Sequence, residues 1–475
     1  METIYSPINQ DILIHLKNIV DTNDVLTDDD NLEKYGQDET EDFVFRPEVV
    51  VKPKTVGQIS EIMKLANTYK IPVTARGSGT GLSGGALPIY GGIVISMERF
   101  NRILNIDERN LQAIVEPGVI NFVFQEEVKK VGLFYPPDPA SWGSCSLGGN
   151  VAHSSGGPKA VKYGTTRDYV LNIEMVLPNG DVIWTGANTL KYSTGYNLTH
   201  LMVGSEGTLG IITKIVFKLI PLPKHDLLML VPFFSAEKAC EAVGATFRSG
   251  ITPSAMEFME RDAIDWSIKY AGDVNFNIKK EWQALLLIEV DGNNLDILFN
   301  DCETISNIMT EHGCDEILMA DSAEQKASLW KIRRKVGEAV KSNSVYKEED
   351  TVVPRAELPV LLKGVKEIGS KYGFKSVCYG HAGDGNLHVN IIKGELSDEA
   401  WDTELPKGIT EIFELCKKLG GTISGEHGVG LVQKNYLPIV FPEYHLELMK
   451  NIKRLFDPNL ILNPDKIIST TTNHN

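Results

Sequence analysis

The stretch Gly380-His381-Ala382-Gly383-Asp384-Gly385-Asn386-Leu387-His388-Val389-Asn390 sets two histidines on either side of a glycine-rich turn. Asp-Gly and Gly-Asn steps flanked by apolar segments signal a tight hairpin, which brings the two imidazoles together. Imidazoles so placed can bind a divalent metal, and Asn390, two residues past His388, points to the same strand face. A satisfied hairpin without a metal fits the same spacing. In Ser424-Gly425-Glu426-His427-Gly428-Val429-Gly430 an acid and a histidine stand between glycines, where Glu426 could complete a metal set and His427 act as a base. A third stretch, Arg76-Gly77-Ser78-Gly79-Thr80-Gly81-Leu82-Ser83-Gly84-Gly85-Ala86, exposes backbone N–H groups that can approach an anion, with Ser78, Thr80 and Ser83 as further donors. It joins two apolar segments instead of opening a helix, so it is neither a dinucleotide fingerprint nor a P-loop. A flexible turn is the alternative.

The chain that must position these groups has 475 residues and a formal net charge of -16. Such a balance argues against a nucleic-acid surface and against a polybasic membrane anchor. The N-terminal residues resemble neither a signal nor a transit peptide, and no apolar run approaches the roughly 20 residues of a membrane span. Six scattered cysteines without a Cys-x-x-Cys pair argue against an iron–sulfur or zinc-ribbon centre, and a reducing, cytoplasmic compartment is expected.

Residues 7–20 show helical spacing, and the acidic stretch Asp28 to Glu41 reads as an exposed connection. Strand Glu48–Lys52, helix Val56–Tyr69 and the strand into the glycine loop make a βαβ start. Strands follow near 93–95, 103–106 and 113–115, then a helix over 122–130. Tyr135 to Gly164 reads as one long packed loop, followed by a hairpin about Pro178-Asn179-Gly180 and a strand over 211–220. Pro221-Leu222-Pro223 closes this part. Strands 227–233, 254–259, 284–290 and 315–320 with helices 235–249 and 294–312 give a βαββαβ order, hence an antiparallel sheet with helices on one face. The order partly recurs through helix 323–343, strand 350–353, helix 357–372, strands 376–381 and 387–392 and helix 401–419, which suggests one enlarged sheet. The polar tail from Ser469 is expected to fray. Arg333 and Lys347 read by pattern alone as parts of a basic helix face.

Together these motifs resemble the FAD-linked oxidoreductases of the vanillyl-alcohol-oxidase type, in the branch of D-lactate dehydrogenases, glycolate oxidase flavin subunits and D-2-hydroxyglutarate dehydrogenases. The resemblance runs from about Phe43 to Ile467 and rests on Arg-Gly-x-Gly-Thr-Gly, Gly-Gly-Asn-Val-Ala, Gly-Ser-Glu-Gly-Thr-Leu-Gly, Gly-His-x-Gly-Asp-Gly-Asn-Leu-His and Glu-His-Gly, in that order. It implies an α+β fold: a two-part FAD-binding domain over 1–223 (core 43–222), a cap domain with a large antiparallel sheet in ferredoxin-like order over 224–424, and a segment over 425–475 returning to the FAD domain.

The resemblance also implies roles. Arg76, Gly77, Ser78, Gly79, Thr80 and Gly81 would hold the FAD pyrophosphate. Pro137, Asp138, Ser141, Gly148, Gly149, Asn150, Ala152, Gly156, Gly157 and Tyr163 would line the flavin and ribityl chain, with Glu206, Gly207 and Ile211 on the adenine side and Asn463 returning to the flavin. His381, His388 and Glu426 would hold a divalent metal, zinc or manganese, with His427 as base and Arg333, Lys347 and Asn390 on the substrate. The implied reaction is oxidation of a small anionic D-2-hydroxy acid, of the D-lactate or glycolate type, to the 2-oxo acid. The alternatives are a D-2-hydroxyglutarate dehydrogenase and a flavin-binding electron-transfer subunit without substrate chemistry. Gly337, where hydroxyglutarate enzymes carry a Thr, favours the small substrate. No His or Cys lies between Arg76 and Gly92, so the FAD is expected to be non-covalent. An external acceptor (a quinone, an electron-transfer flavoprotein or an iron–sulfur partner) is implied. Peripheral membrane attachment, use of O₂ and a homodimer stay open.

Overall fold

The computed structural model describes residues 5–41, 43–272 and 278–469. The chain forms two compact units: Met1–Ser155, Thr165–Leu222 and Glu426–Asn475 in one, Gly156–Gly164 and Pro223–Gly425 in the other. The polar tail beyond Ser469 lies outside the described residues.

In the first unit, strand Ile93–Ser96 runs parallel between Val49–Val51 and Val73–Arg76. The helix Val56–Tyr69 makes the crossover, opened by a capping box in which Thr55 and Gln58 each accept from the other's backbone N–H. Its Ile59, Ile62, Met63 and Ala66 are buried with Val49, Val51, Val73, Ile93 and Ile95. Fully burying each such side chain stabilises by about 1.5–3 kcal/mol, so this layer is a firm base for the loop that leaves Arg76. On the far side of Val73 the chain's last segment adds on: Val73 N–H donates to Ile461 O (2.7 Å) and Asn463 N–H to Val73 O (2.6 Å). The exposed connection expected over Asp28–Glu41 instead contains a helix, Asp29–Lys34, capped by Asp28, with Leu32 and Tyr35 buried against Val50 and Val94. Two apolar anchors hold it in place amid an acidic composition. A second, antiparallel sheet has the order 103–107, 112–115, 211–218, 170–176, 182–184.

The long loop expected over Tyr135–Gly164 contains two short helices, Leu147–His153 and Ala160–Tyr163. Glycines hid the first of them. Leu147 and Val151 are buried one turn apart, while a Cβ on Gly148 would stand 2.4 Å from Pro117 Cβ, so only glycine allows that packing. Residues 1–223 do not stay together: Gly156–Gly164 packs with the second unit, where Lys162 and Tyr163 bond Asp291 and Lys159 pairs with Glu289.

The second unit is one seven-stranded sheet in the order 318–319, 225–233, 284–292, 255–260, 375–381, 386–392, 346–352, with every pair antiparallel. Helices cover both of its faces, where one covered face was expected. On one face Leu228, Leu230, Leu285, Leu287, Met259 and Val377 pack with Ile264, Leu329, Ile332, Val336 and Val340. Those partners come from helices Arg261–Ala271, Ala323–Arg334 and Val336–Asn343. On the reverse face Lys366 of helix Leu358–Tyr372 reaches Glu260 Oε1 (2.7 Å) and Ser376 O (2.8 Å). Helix Arg261–Ala271 had no sequence expectation, because it follows its strand without a turn signal. Among the described residues no helix is long and apolar enough to cross a membrane.

Candidate active site and flavin cradle

The strands 375–381, 386–392 and 346–352 set a polar group on the sheet face that also carries the Leu285–Val336 core. His388 stands opposite Tyr379 and Asp350, and Asn390 opposite Val377 and Glu348. Directly opposed residues share a face, so His388, Asn390, Glu348 and Asp350 point the same way. The turn before them requires glycine: Gly385 has φ 86°, and a Cβ there would fall 1.9 Å from Val353 O. The hairpin brings the rings of His381 and His388 to 5.4 Å between centroids, near perpendicular. The same register puts Lys347 opposite Ile391, on the reverse face from Asn390.

Behind His381 lies Glu257, which sequence reading missed. Both its carboxylate oxygens are 2.9 Å from His381 Nδ1, and Oε2 is 2.7 Å from Arg333 Nη2. Glu257 is fully buried. Burial pushes its carboxyl up, but the charges of His381 and Arg333 outweigh that and leave it below the ordinary glutamate value. A carboxylate on Nδ1 fixes the tautomer that carries its lone pair on Nε2, the arrangement that metal-ligating histidines use. The only sequence signal was an acid within the apolar run Ala255-Met256-Glu257-Phe258. Arg333 stacks over Tyr379 at 5.1 Å, while its Nε, and both amide atoms of Asn390, are buried without a hydrogen-bond partner among the described residues. Each such group costs about 1–3 kcal/mol if nothing bonds it, so these atoms await a ligand.

Asp350 fixes the approach of the second motif. Its Oδ2 accepts from Gly425 N–H (2.8 Å) and Ser424 Oγ (3.1 Å), and its Oδ1 from Asn386 Nδ2 (2.7 Å). Gly425 is packed so closely that a Cβ would be 2.5 Å from Val352 Cγ2. Glu426 is the next residue in the chain.

From Glu426 the chain belongs to the first unit, and Glu206 holds it there. Glu206 accepts from Val429 N–H on Oε1 and from Gly430 N–H on Oε2, both at 2.7 Å. The carbonyl of His427 accepts from Ser83 Oγ (3.0 Å) and bonds His153 Nδ1 (2.9 Å). Gly428 has φ 84°, and a Cβ on it would meet Glu206 Oε1 and His153 Nδ1 at 2.7 Å each. The Glu206 carboxylate is therefore engaged by this loop. His153 is a further residue the motifs did not flag.

The glycine-rich loop is an anion nest. Among the described residues, none of the backbone N–H groups from Ser78 to Ala86 donates to a protein acceptor. Gly77 and Gly79 leave room that a Cβ would fill, 2.4 Å from Ser146 Oγ and 2.1 Å from Arg76 Nη2. From behind, Lys466 Nζ donates to Leu87 O (2.8 Å) and to Gly84 O, and burial lowers its pKa to about 8. Asn463 Nδ2 bridges Gly85 O (3.0 Å) and Glu206 O (2.8 Å), and its Oδ1 is buried without a partner. Beside the loop opens a cavity of about 520 Å³ lined by Arg76, Gly77, Ser78, Ser146 and Gly118–Ile120, with Lys34, Tyr35 and Asn101 that the motifs had not indicated. Free amides, glycine clearance and an orphan Ser146 Oγ fit a dinucleotide diphosphate.

Other expected cofactor residues make protein contacts of their own. Ile211 lies in the hydrophobic core, and Pro137 O is occupied by Asn121 and Gln125. The amide of Asn150 bonds Asn121, and Tyr163 bonds Asp291 in the second unit, where Gly156 and Gly157 also belong. Ala152 O receives Glu206 N–H (2.9 Å), and Ser141 O closes a turn onto Cys145 N–H (2.8 Å).

A two-unit chain with an anion nest and a histidine hairpin on a large antiparallel sheet defines a flavin-dependent oxidoreductase. The chain belongs to the FAD-linked oxidases, and FAD is its cofactor: residues 47–186 match the family described as FAD binding domain and 222–467 that described as FAD linked oxidases, C-terminal domain. It is 37% identical over 448 residues to "D-lactate dehydrogenase" of Anaerostipes hadrus (93% of this chain, 94% of the relative). It is 37% identical over 438 residues to "Glycolate oxidase subunit GlcD" of Bacillus subtilis (92% of each). "D-2-hydroxyglutarate dehydrogenase" of Stutzerimonas stutzeri is 33% identical over 465 residues (96% and 99%). The fold is also that of p-cresol methylhydroxylase, with TM-score 0.79 at 20% identity and 97% of each chain covered.

Proposed function

We propose that this enzyme oxidises a small D-2-hydroxy acid of the D-lactate or glycolate type to the 2-oxo acid. The observation that carries it is the group on the second unit's sheet: His381 held by Glu257, His388 beside it, and unpaired donor atoms on Arg333 and Asn390. Arg333 and Asn390 would take the substrate carboxylate and hydroxyl, with a charge-assisted contact from the guanidinium contributing about 1.5–3 kcal/mol.

Glu348 and Asp350 share this face with Glu257, and it is Glu257 that pairs with Arg333. An anionic substrate there needs a further cation, which supports a divalent metal on His381 and His388. Glu426 would be the third ligand, tethered one peptide, about 3.8 Å between Cα atoms, from the Gly425 that Asp350 anchors. A divalent ion, when bound, supplies Lewis acidity toward the hydroxyl and carboxylate oxygens. His427 would accept the hydroxyl proton, from a backbone that Ser83 and His153 hold in place. When bound, FAD supplies N5 as acceptor of the hydride from Cα. The Ser78–Ala86 amides would hold its diphosphate, on a loop that Lys466 reinforces from behind.

The test is an anaerobic titration of the flavin spectrum with D-lactate, L-lactate, glycolate and D-2-hydroxyglutarate. Bleaching by D-lactate or glycolate supports the proposal. Bleaching by none of the four leaves an electron-transfer subunit, and preference for the glutarate replaces the substrate class.

A further inference from the structure

We infer that Glu289 and Trp330 are positioning residues for the substrate arginine: through Trp330, Glu289 fastens the helix Ala323–Arg334 to the sheet just ahead of Arg333. This rests on the proposed use of Arg333 to hold the substrate carboxylate.

The register sets Glu257 opposite Leu287 and Ala255 opposite Glu289. Leu287 and Glu289 are two residues apart on one strand, so both buried acids stand on the same sheet face, on neighbouring strands. Each takes a different residue of the same helix. Glu257 Oε2 pairs with Arg333 Nη2 (2.7 Å), and Glu289 Oε2 accepts from Trp330 Nε1 (3.1 Å). Trp330 and Arg333 are three residues apart and are neighbours on the helix surface. Glu289 Oε1 accepts from Ser254 Oγ (2.9 Å) and pairs with Lys159. Burial pushes the Glu289 carboxyl up, but the Lys159 charge outweighs that and leaves it below the ordinary glutamate value. The indole is held at its ring as well, with Arg334 Cζ 5.4 Å and Lys159 Nζ 6.0 Å from it. No step of the proposed reaction uses Glu289, Trp330 or Lys159, although burying a carboxylate is costly. Their place in the fold gives them a use. Arg333 is the last residue but one of its helix, and a second helix begins at Val336, so the guanidinium is carried beside a break. Fastening the helix at Trp330 as well as at Arg333 fixes where that guanidinium meets a carboxylate.

The experiment is isothermal titration of pyruvate and glyoxylate, the 2-oxo products of D-lactate and glycolate, into the FAD-loaded protein with divalent manganese added. Turnover of the matching hydroxy acid is measured on the same samples. Trp330→Phe keeps an aromatic ring and removes the Nε1–H donor. Lys159→Met with Glu289→Gln removes both charges but keeps an acceptor oxygen for the indole, whereas Lys159→Met with Glu289→Ala removes the acceptor too. Affinity for the 2-oxo acid should fall about 10-fold in Trp330→Phe and in the alanine pair, the size of one lost charge-assisted hydrogen bond. It should stay within about threefold of wild type in the glutamine pair, and the loss elsewhere should fall on KM more than on kcat. FAD content, metal content and thermal unfolding are read on each sample, since a merely structural role lowers the unfolding temperature and leaves the affinity alone. Affinity within about twofold of wild type in Trp330→Phe overturns the inference and leaves the hydroxy-acid reading standing. A glutamine pair as weak as the alanine pair also overturns it, because the charge and not the hold on the indole would then matter. If wild type binds neither 2-oxo acid, the functional reading falls and this inference with it.

Discussion

Glu257 binds the Nδ1 of His381 with both carboxylate oxygens at 2.9 Å and reaches Arg333 at 2.7 Å, so one buried acid orients a proposed metal ligand and a proposed substrate ligand at once. Burying a carboxylate costs several kcal/mol, which is offset here only because two partners converge on it. Glu257→Gln keeps the volume but lets the tautomer of His381 reverse. Divalent metal affinity should fall about 10- to 100-fold, measured by competition with a chromogenic chelator, while FAD content stays at the wild-type level. Unchanged metal affinity would mean that Glu257 serves Arg333 alone.

The anion nest predicts how FAD is lost. Gly77→Ala places a methyl 2.4 Å from Ser146 Oγ, and Ser146 has little room to move because it is buried at 2% exposure. Reconstitution of the apoprotein should show FAD binding weakened at least about 10-fold, a cost of about 1.4 kcal/mol or more. Double substitution with Ser146→Ala should recover part of it. An unaltered dissociation constant in Gly77→Ala would remove this loop from the cofactor site.

With no His or Cys between Arg76 and Gly92, the flavin should also come off intact. Acid or heat precipitation is expected to leave all FAD in the supernatant, and yellow colour in the washed pellet would show a covalent link elsewhere.

Lys466 supplies a pH dependence whose sign follows from its environment. Its folded pKa is lowered by burial to about 8, below the unfolded lysine value of about 10.4. Between those values the unfolded chain binds more protons, so this group's contribution to stability rises with pH from near 8 to near 10. The difference in unfolding free energy between wild type and Lys466→Met should move toward wild type by about 1–3 kcal/mol across that window, read by denaturant titration at pH 7 and pH 10. A difference independent of pH would show that Lys466 titrates normally.

What the sequence disclosed and what it hid divide along physical lines. Glycine runs, Asp-Gly turns and apolar alternation announce themselves locally, so the nest, the histidine hairpin and the large antiparallel sheet were legible. Side-chain face is set by register, and the face of Lys347 was not legible because a shift of one residue along Tyr346–Val352 reverses it. Glu206, Glu257 and Asp350 bond groups far away in sequence, such as His381 and Gly425, and no spacing rule reaches that far. The helix Leu147–His153 was hidden because close packing against Pro117 selected glycines that read as loop.

The last prediction separates base from ligand at the Glu426-His427 motif. His427 is held by its backbone, its carbonyl taking Ser83 Oγ and His153 Nδ1, so replacing its ring leaves the loop's latches to Ser83, His153 and Glu206 in place. His427→Asn should therefore keep FAD and metal but slow flavin reduction by about 10²–10⁴-fold, the range for loss of a positioned general base. In His388→Asn the metal should go first, with activity lost as a consequence, because the hairpin register fixes where this side chain points and asparagine offers no imidazole there. Elemental analysis and stopped-flow reduction on the same samples distinguish the two. A metal-depleted His427→Asn would make His427 a ligand, and reduction at the wild-type rate in that variant would end its role as the base.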